Sequence, residues 1–225
     1  MKRFFVTGTD TEIGKTTIAA GILYAAHAAG LTTAGVKPVA AGCEMTAEGP
    51  RNDDALALLA QCRPALEYAQ VNPIALEAAI APHIAAQEEG VALSAGELAE
   101  ACQAVFEMQR DLTLVEGAGG WLVPLNRGET LADLAKALQV QVIMVVGMRL
   151  GCINHALLTA QAIERDGLKL AGWVANYVDP DMSRPQENFE TLERLLPAPC
   201  LGKVPRLNRA DAASVAAYLD IKSLI

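Results

Sequence analysis

The chain has 225 residues, of which 52% are hydrophobic and only 4% aromatic, and its formal net charge is −8. The length suits a single domain over residues 1–225, with enough apolar material for a sizeable core. The acidic balance, without a cluster of Lys and Arg, argues against nucleic-acid binding, and no apolar run approaches the roughly 18 residues of a membrane span.

The N-terminus and the cysteines indicate a cytoplasmic protein. Residues 1–6 enter a strand-like run directly, without the apolar segment and cleavage site of a signal peptide. The five cysteines are odd in number, widely spaced and without CxxC spacing: Cys43, Cys62, Cys102, Cys152 and Cys200. Free thiols in a reducing compartment are therefore expected, rather than disulfides or a zinc site.

Short β-type runs alternate along the chain with longer helical runs. Strands are expected at residues 4–7, 33–39, 112–116, 140–147, 170–177 and 200–204. Helices are expected at residues 15–29, 53–62, 94–110, 131–138, 154–166, 184–195 and 212–219. Such alternation implies crossover connections and a parallel sheet, whose ligands bind beyond the carboxyl ends of the strands. The proline-containing stretch 64–90 is expected to form an irregular surface excursion.

The segment 8–17, with the sequence GTDTEIGKTT, matches a phosphate-binding loop between a strand and a helix. Its glycines let backbone N–H groups face phosphate oxygens, and the helix N-terminus adds partial positive charge. Lys15 can reach the β- and γ-phosphates, and the Thr16 hydroxyl can ligate Mg²⁺. The spacing is unusual, because Gly8 and Gly14 enclose five residues instead of four. We therefore expect a P-loop NTPase-type α/β fold, with a mostly parallel sheet of about seven strands flanked by helices.

Further charged residues fall where strands and helices would meet that loop. Glu116 ends an apolar strand and precedes a glycine-rich turn, which places a carboxylate at the ligand edge of the sheet. Asp53 and Asp54 begin a helix, so one of them could ligate Mg²⁺, or each could only cap the helix. Lys37, near the end of the second strand, would face the phosphates, unless it is a surface lysine whose stem covers apolar surface.

Three polar residues have two possible roles each. Asn154 could cap the helix after strand 140–147, or its helix start could hold a carboxylate. His83 could line a substrate site or be structural. Asn176 ends a strand, where its amide could contact a nucleotide base or only stabilise a turn. No Ser/His/Asp triad can be argued from the sequence.

Taken together, these segments resemble the dethiobiotin synthetase family, the ATP-dependent cyclo-ligases of biotin biosynthesis. The resemblance covers essentially the whole chain, and the longer gap in the phosphate loop is itself a feature of that family. It rests on the segments 6–12 with 14–16, 37–39, 51–52 with 54–56, 115–120, 146–147 with 150–156, and 171–176.

The resemblance implies that 7,8-diaminononanoate, CO₂ and ATP give dethiobiotin, ADP and phosphate, with Mg²⁺ as cofactor. One amine would be carbamylated by CO₂, and the carbamate oxygen would attack the γ-phosphate to give a carbamic–phosphoric anhydride. The second amine would then close the ureido ring and expel phosphate. A homodimer is also implied, in which the helix start at Asn154 meets the substrate carboxylate of the neighbouring subunit.

The same resemblance assigns residues to each part of this chemistry. The catalytic positions are Lys15 and Lys37, and the metal positions are Thr16, Asp54 and Glu116. The substrate positions are Thr11, Lys37, Ala41, Gly117, Ala118 and Asn154. The ATP positions are Glu12, Ile13, Gly14, Lys15, Thr16, Thr17, Asp54, Glu116, Gly117, Ala118, Gly119, Asn176, Tyr177, Pro205, Arg206, Leu207 and Asp211.

Two positions depart from the family pattern, and other functions compete with this one. Close relatives often carry Ser or Thr where this chain has Ala41, and the alignment around Asp211 is loose. A partner-regulated P-loop ATPase switch, of the division-site or plasmid-partition type, is the alternative. Such loops typically carry an extra lysine early in the loop, where this chain has Thr-Asp-Thr at 9–11. A cobyrinate-type amidotransferase would need an additional glutaminase domain.

Overall fold

The computed structural model describes all 225 residues as an α/β fold with ten strands and nine helices. The strands are β1 Lys2–Gly8, β2 Thr33–Val36, β3 Val39–Ala41, β4 Glu44–Thr46, β5 Gly49–Arg51, β6 Ile74–Leu76, β7 Leu112–Glu116, β8 Gln141–Gly147, β9 Leu170–Asn176 and β10 Cys200–Val204. The helices are α1 Lys15–Ala28, α2 Asp53–Leu59, α3 Tyr68–Val71, α4 Pro82–Glu88, α5 Ala95–Phe106, α6 Leu131–Leu138, α7 Cys152–Arg165, α8 Pro185–Leu195 and α9 Ala212–Ala216.

The central sheet contains six strands in the order β10-β9-β8-β1-β7-β2. Every neighbouring pair in it is parallel. The expected α/β class and parallel sheet are thus confirmed, with six strands in the main sheet where about seven were expected. β1 lies between β7 and β8, so the loop that follows β1 emerges at the middle of the sheet's carboxyl edge.

The sheet is buried on both faces, which explains its nearly continuous apolar strands. Successive residues of β8 point to opposite faces: Ile143 and Val145 join the larger core cluster, while Met144 and Val146 join the smaller one. The smaller cluster lies under α7 and α8, where the Trp173 and Phe189 rings are 5.5 Å apart. None of the helices combines the length and the apolar content that a membrane span requires.

The second predicted strand, 33–39, is divided in the structure. β2 ends at Val36, and β3 begins at Val39 in a separate sheet. Pro38 lies at the break, where its missing N–H prevents a continuous ladder. Lys37 therefore stands at the end of β2, between two sheets.

The stretch 64–90, which was expected to be an irregular surface excursion, forms regular secondary structure. It contains α3, β6 and α4, and β6 pairs in parallel with β3. Its backbone also holds the break in the second strand, because the Lys37 N–H donates to the Val71 carbonyl at 2.7 Å. The Asn72 side-chain amide donates to the Lys37 carbonyl at 2.7 Å. Sequence periodicity did not indicate this sheet, because its two strands have only three residues each.

The predicted start of α5 is confirmed, because Ser94 caps it by accepting the Glu97 N–H at 3.1 Å. Several other helix ends differ from the predicted ones. The cap of α7 is Gly151, in a left-handed conformation with φ 96°, and not Asn154, which is the third residue of the helix. The last helix is shorter than expected and ends at Ala216. The hairpin formed by β4 and β5 was not predicted.

Candidate active site

A cavity of about 710 Å³ opens at the carboxyl edge of the sheet, beside the phosphate loop. One side of it is polar and includes most of the predicted phosphate, metal and catalytic positions: Thr11, Glu12, Gly14, Lys15, Thr16, Thr17, Lys37 and Asp54. The rest of the lining is largely apolar and includes Ala41, Ala79, Ile80, Ala81, Pro82, Ala118 and Val123. Residues 41 and 79–82 are called the apolar wall below. The cavity is thus lined by both charged and apolar residues.

The phosphate loop folds tightly around its own lysine. Glu12 and Gly14 both have left-handed backbones, with φ 57° and 81°. Glycine is required at position 14, because a Cβ there would lie 2.4 Å from the Asn176 side-chain nitrogen. The Lys15 Nζ donates to the Asp10 carbonyl at 2.8 Å. Burial, and then the nearby Lys37 charge, lower the pKa of Lys15 to about 8.

Lys37 is the centre of a buried charge cluster. Its Nζ donates to Glu116 Oε1 at 2.7 Å, to Asp54 Oδ2 at 3.0 Å and to the Gly117 carbonyl at 3.2 Å. Burial alone would lower the pKa of Lys37, but the Glu116 and Asp54 carboxylates outweigh it and raise that pKa. The side chain is only 5% exposed, so Lys37 is not a surface lysine.

Asp53 and Asp54, at the start of α2, have different roles in the structure. Asn52 caps the helix by accepting the N–H groups of Asp54 and Ala55 at 3.1 and 3.3 Å. Asp53 is exposed, whereas the Asp54 carboxylate turns to Lys37. Burial would raise the pKa of Asp54, but the Lys37 charge and its hydrogen bond lower it. Asp54 is therefore charged and is not used as a cap.

The residues at Thr16, Asp54 and Glu116 fit a magnesium ion. Thr16 Oγ1 donates to Glu116 Oε1 at 2.7 Å, while Glu116 Oε2 is buried without a hydrogen-bond partner. A buried carboxylate oxygen without a partner is costly unless a ligand satisfies it. The structure has no group of three or more His, Cys, Asp or Glu side chains that could hold a metal. Two carboxylates and a hydroxyl are the sparse oxygen set that Mg²⁺, which keeps several waters, accepts.

The positions expected to contact the base lie outside this cavity, at the ends of β9 and β10. Asn176 ends β9, and its Nδ2 donates to the Ile13 carbonyl in the phosphate loop at 2.7 Å. The Tyr177 N–H donates to the Val204 carbonyl at 2.9 Å, which joins the two strand ends. The segment that follows is Pro205, Arg206 and Leu207, of which the first two are exposed. We call these five residues the ledge, which Asn176 joins to the phosphate loop.

Asp211 has other partners in the structure. Its carboxylate caps α9 by accepting from the Ser214 N–H at 2.9 Å and the Ser214 hydroxyl at 2.7 Å. It also pairs with Arg209 at 2.7 Å. The bond from the Ser214 hydroxyl, followed by that from the Ser214 N–H, lowers the pKa of Asp211. The geometry gives Asp211 a capping role that its sequence position did not reveal.

Of the other predicted positions, some line the cavity and some lie elsewhere. Ala118 and Gly119 line the cavity, and Gly117 reaches it through its carbonyl bond to Lys37. Asn154 is exposed on α7 and does not line the cavity of its own chain. His83 lines a second cavity of about 550 Å³, with Val91, Leu93 and Arg127, rather than the one beside the loop.

Sequence reasoning missed the apolar wall and some of the supporting residues. Residues 79–82 of the wall lie in the stretch that was expected to be irregular, and they follow β6, which pairs with β3. Asn52, directly before two acids, carries the usual signal of a helix cap. Asp10 and Arg149, which form an ion pair beside the loop, lie 139 residues apart and carry no local signal.

Solved structures with low sequence identity share the fold. The cell division protein MinD from Aquifex aeolicus aligns with a TM-score of 0.59 at 16% identity, over 96% of this chain and 93% of that one. A ParA family ATPase from Chlorobium tepidum aligns with a TM-score of 0.58 at 12% identity, over 98% and 91%. At these identities the likeness concerns the fold alone.

Sequence comparisons are more specific. A family model described as an AAA domain matches residues 2–214. A protein named ATP-dependent dethiobiotin synthetase BioD from Pseudomonas aeruginosa is 66% identical over 224 residues, which cover 100% of this chain and 98% of the relative. A protein of the same name from Cellvibrio japonicus is 59% identical with the same coverage. This chain belongs to the dethiobiotin synthetase family.

Proposed function

We propose that this protein is a cyclo-ligase that closes the ureido ring of dethiobiotin from 7,8-diaminononanoate and CO₂, converting ATP to ADP and phosphate. The observation that carries the proposal is a cavity lined both by Lys15, Lys37 and Asp54 and by the apolar wall, with Glu116 paired to Lys37 beneath it. A substrate with charged reacting groups on an alkyl chain suits both kinds of lining. The names of relatives that match nearly full length support the same reaction.

In this proposal the phosphate loop and the sheet edge hold ATP. Residues 12–17 supply the loop amides and the Lys15 charge for the triphosphate. The ledge of Asn176, Tyr177 and residues 205–207 receives the base. Thr16, Asp54 and Glu116 hold Mg²⁺, which neutralises phosphate charge when bound. The unpartnered Glu116 Oε2 supports a cation at this place.

Lys15 and Lys37 would make the attack possible by reducing charge repulsion. A carbamate and a γ-phosphate are both anionic, so they approach only where fixed positive charge lies between them. Lys37 is held in place by three acceptors and needs little reorganisation during the reaction. The carbamate oxygen attacks the γ-phosphorus as ADP leaves, and the second amine then attacks the carbamyl carbon as phosphate leaves. Positioning and electrostatics supply most of the catalysis.

The apolar wall would hold the alkyl chain of the diamine. Ala41 and residues 79–82 offer no side-chain hydroxyl or charge, so they select for methylene groups. The Gly117 carbonyl bonds Lys37, and Thr11 and Ala118 line the same cavity, so Thr11 and the turn at Gly117–Ala118 would contact the carbamate. Because Ala41 has no side-chain hydroxyl, it cannot donate to the carbamate, and this contact would come from the Gly117–Ala118 turn.

The substrate carboxylate would be bound by a second copy of the chain. Asn154 is exposed on the first turn of α7, away from the cavity of its own chain, and Leu150 beside it is 93% exposed. Both features suit an interface in which the start of α7 completes the neighbour's site. The proposal therefore includes a homodimer. It also includes a cytoplasmic location, where ATP is supplied and the five free thiols stay reduced.

The test is the formation of dethiobiotin by the purified protein, detected by mass spectrometry. Diaminononanoate, bicarbonate and ATP-Mg²⁺ are supplied, and each is left out in turn. We expect product only with all of them present, and a large loss of product with Lys37→Ala. If ATP hydrolysis did not depend on the diamine and were stimulated by a protein or membrane partner, this would contradict the proposal and favour an ATPase switch.

A further inference from the structure

Asp10 is the most connected residue of the phosphate loop, although it belongs to none of the proposed ligand sets. Its Oδ1 accepts the Thr11 N–H at 2.8 Å, and its carbonyl accepts the Lys15 Nζ at 2.8 Å. Its Oδ2 forms an ion pair with Arg149. Arg149, which lies outside the loop, is therefore connected through Asp10 to Thr11 and Lys15, which both line the cavity.

Arg149 is itself held by the scaffold. It follows β8, and its carbonyl accepts the Cys152 N–H at 3.0 Å at the start of α7. The preceding residue, Met148, donates its N–H to the Asn176 carbonyl at 2.7 Å. The guanidinium therefore projects from a short connection whose backbone is hydrogen-bonded on both sides.

The first half of the phosphate loop is joined at three points to β8 and to the connection that follows it. The Thr9 N–H donates to the Val145 carbonyl at 3.0 Å, and Thr9 Oγ1 accepts the Gly147 N–H at 3.4 Å. The Asp10–Arg149 pair is the third tie and the outermost one. A loop with an additional residue has more backbone freedom to lose, so ties of this kind favour one conformation.

We propose that Arg149 is a positioning residue for the phosphate loop that acts through charge: by pairing with Asp10 it cancels the negative charge of that residue, so that the loop can present Thr11 and Lys15 to a triphosphate. The inference rests on the proposed function only in that the loop binds ATP. Without Arg149, the Asp10 carboxylate would remain in the loop as an uncompensated negative charge beside an anionic ligand. Without both charges, the repulsion would disappear.

This charge argument predicts an order of nucleotide affinities. Arg149→Gln leaves Asp10 uncompensated, so we expect it to weaken ATP binding roughly fivefold at low ionic strength, and less at high salt. Asp10→Asn keeps the Oδ1 acceptor for Thr11 and the carbonyl for Lys15, so it should bind at least as tightly as the wild type. The double variant should bind more tightly than Arg149→Gln alone, and Arg149→Lys should restore most of the loss.

The experiment is calorimetric titration of each full-length variant with a non-hydrolysable ATP analogue and Mg²⁺, at low and high salt. Arg194→Gln is the matched control, because it removes the same charge from an exposed position near the end of α8. That position precedes β10 and so lies at the amino edge of the sheet, away from the loop. Thermal melting of each variant checks that the fold is retained.

Two results would overturn the inference. In the first, Arg149→Gln and the double variant lose affinity equally, which would mean that a structural contact and not charge compensation is at work. In the second, Arg149→Gln behaves like Arg194→Gln. The binding assay needs no diamine, so a failure to form dethiobiotin would count against the proposed function and leave this order of affinities intact.

Discussion

The two ends of the proposed nucleotide site differ in how firmly the chain holds their side chains. At the phosphate end, Lys37 and Glu116 are buried, and each is fixed by hydrogen bonds to the other and to Thr16 or Asp54. At the base end, Arg206 is exposed, and Asn176 is the residue with a direct bond to the loop. The difference follows from charge, because buried ions must be paired whereas exposed ones need not be.

This contrast has a consequence for mutations. Changes at the phosphate end should affect both stability and chemistry, since the same contacts hold the fold and the reacting groups. Changes at the base end should affect nucleotide affinity with little effect on stability. Each of the following experiments tests one of the two ends, and they are ordered from the largest expected effect to the smallest.

Lys37→Ala should have the largest effect, because it leaves the Glu116 carboxylate buried without its cation. Removing one partner of a buried pair costs about 3–5 kcal/mol, and loss of a preorganised charge costs on the order of 10²-fold or more in rate. Urea unfolding and initial rates measure the two effects. Lys136→Ala is the control, because that lysine pairs with Asp133 at the surface and its loss should leave stability close to wild type. Unchanged stability of the Lys37→Ala protein would contradict the claim that the same contacts hold the fold and the reacting groups at the phosphate end.

ATP affinity should fall as pH rises above about 8. Burial and the Lys37 charge lower the pKa of Lys15 to about 8 in the free protein. Below that pH the ammonium is charged and attracts phosphate, and above it the neutral amine does not. Affinity should therefore decrease by up to about tenfold per pH unit above pH 8. Binding of an ATP analogue from pH 7 to pH 9.5 measures this dependence.

Lys15→Arg provides the matched control for the pH experiment. Arginine keeps its charge over this range, so its profile should be flat even if its affinity is lower. Parallel profiles for the two proteins would show that another group titrates.

Asn176→Ala should weaken ATP binding more modestly. The variant loses the bond from Nδ2 to the Ile13 carbonyl, which is worth about 1 kcal/mol. Calorimetry with ATP and with inorganic triphosphate separates two roles of this side chain. If Asn176 contacts the base, ATP should lose more affinity than triphosphate does. Equal losses would mean that it only supports the loop.

Asp211→Ala should have the smallest effect at the site. Because the carboxylate caps α9, its loss should lower the melting temperature slightly and leave ATP affinity unchanged. Asp211→Asn, which can still accept from the Ser214 N–H, should melt close to the wild type. A clear loss of ATP affinity with Asp211→Ala would restore this residue to the nucleotide site.

The parts of the fold that sequence analysis predicted are those with local signals. The phosphate loop has glycines at fixed spacing between a strand and a helix, and the central strands are long enough for their apolar runs to be recognised. Lys37 and Glu116 could be found because each is a charge at the end of an apolar strand, where burial of an unpaired charge would be costly.

The missed parts depend on contacts between distant segments. The apolar wall at residues 79–82 depends on pairing between β3 and β6, which are too short to show a period. Asn52 caps α2, and Asp54 pairs with Lys37 instead of acting as a cap. This division of roles depends on where Lys37 lies in the fold. The Asp10–Arg149 pair joins segments that only the order β8-β1 brings together.

The bonds from Val71 and Asn72 to the Lys37 backbone bear on where this chain could be cut or rearranged. Surface segments between elements are usually the best places to open a protein for circular permutation or for a split reporter. A break between Asn72 and Pro73 would instead release the backbone that holds Lys37, so the two fragments would be expected to reassemble without activity. The exposed turn before α8, at residues 180–184, has no such connection to the site and is the better place for new termini.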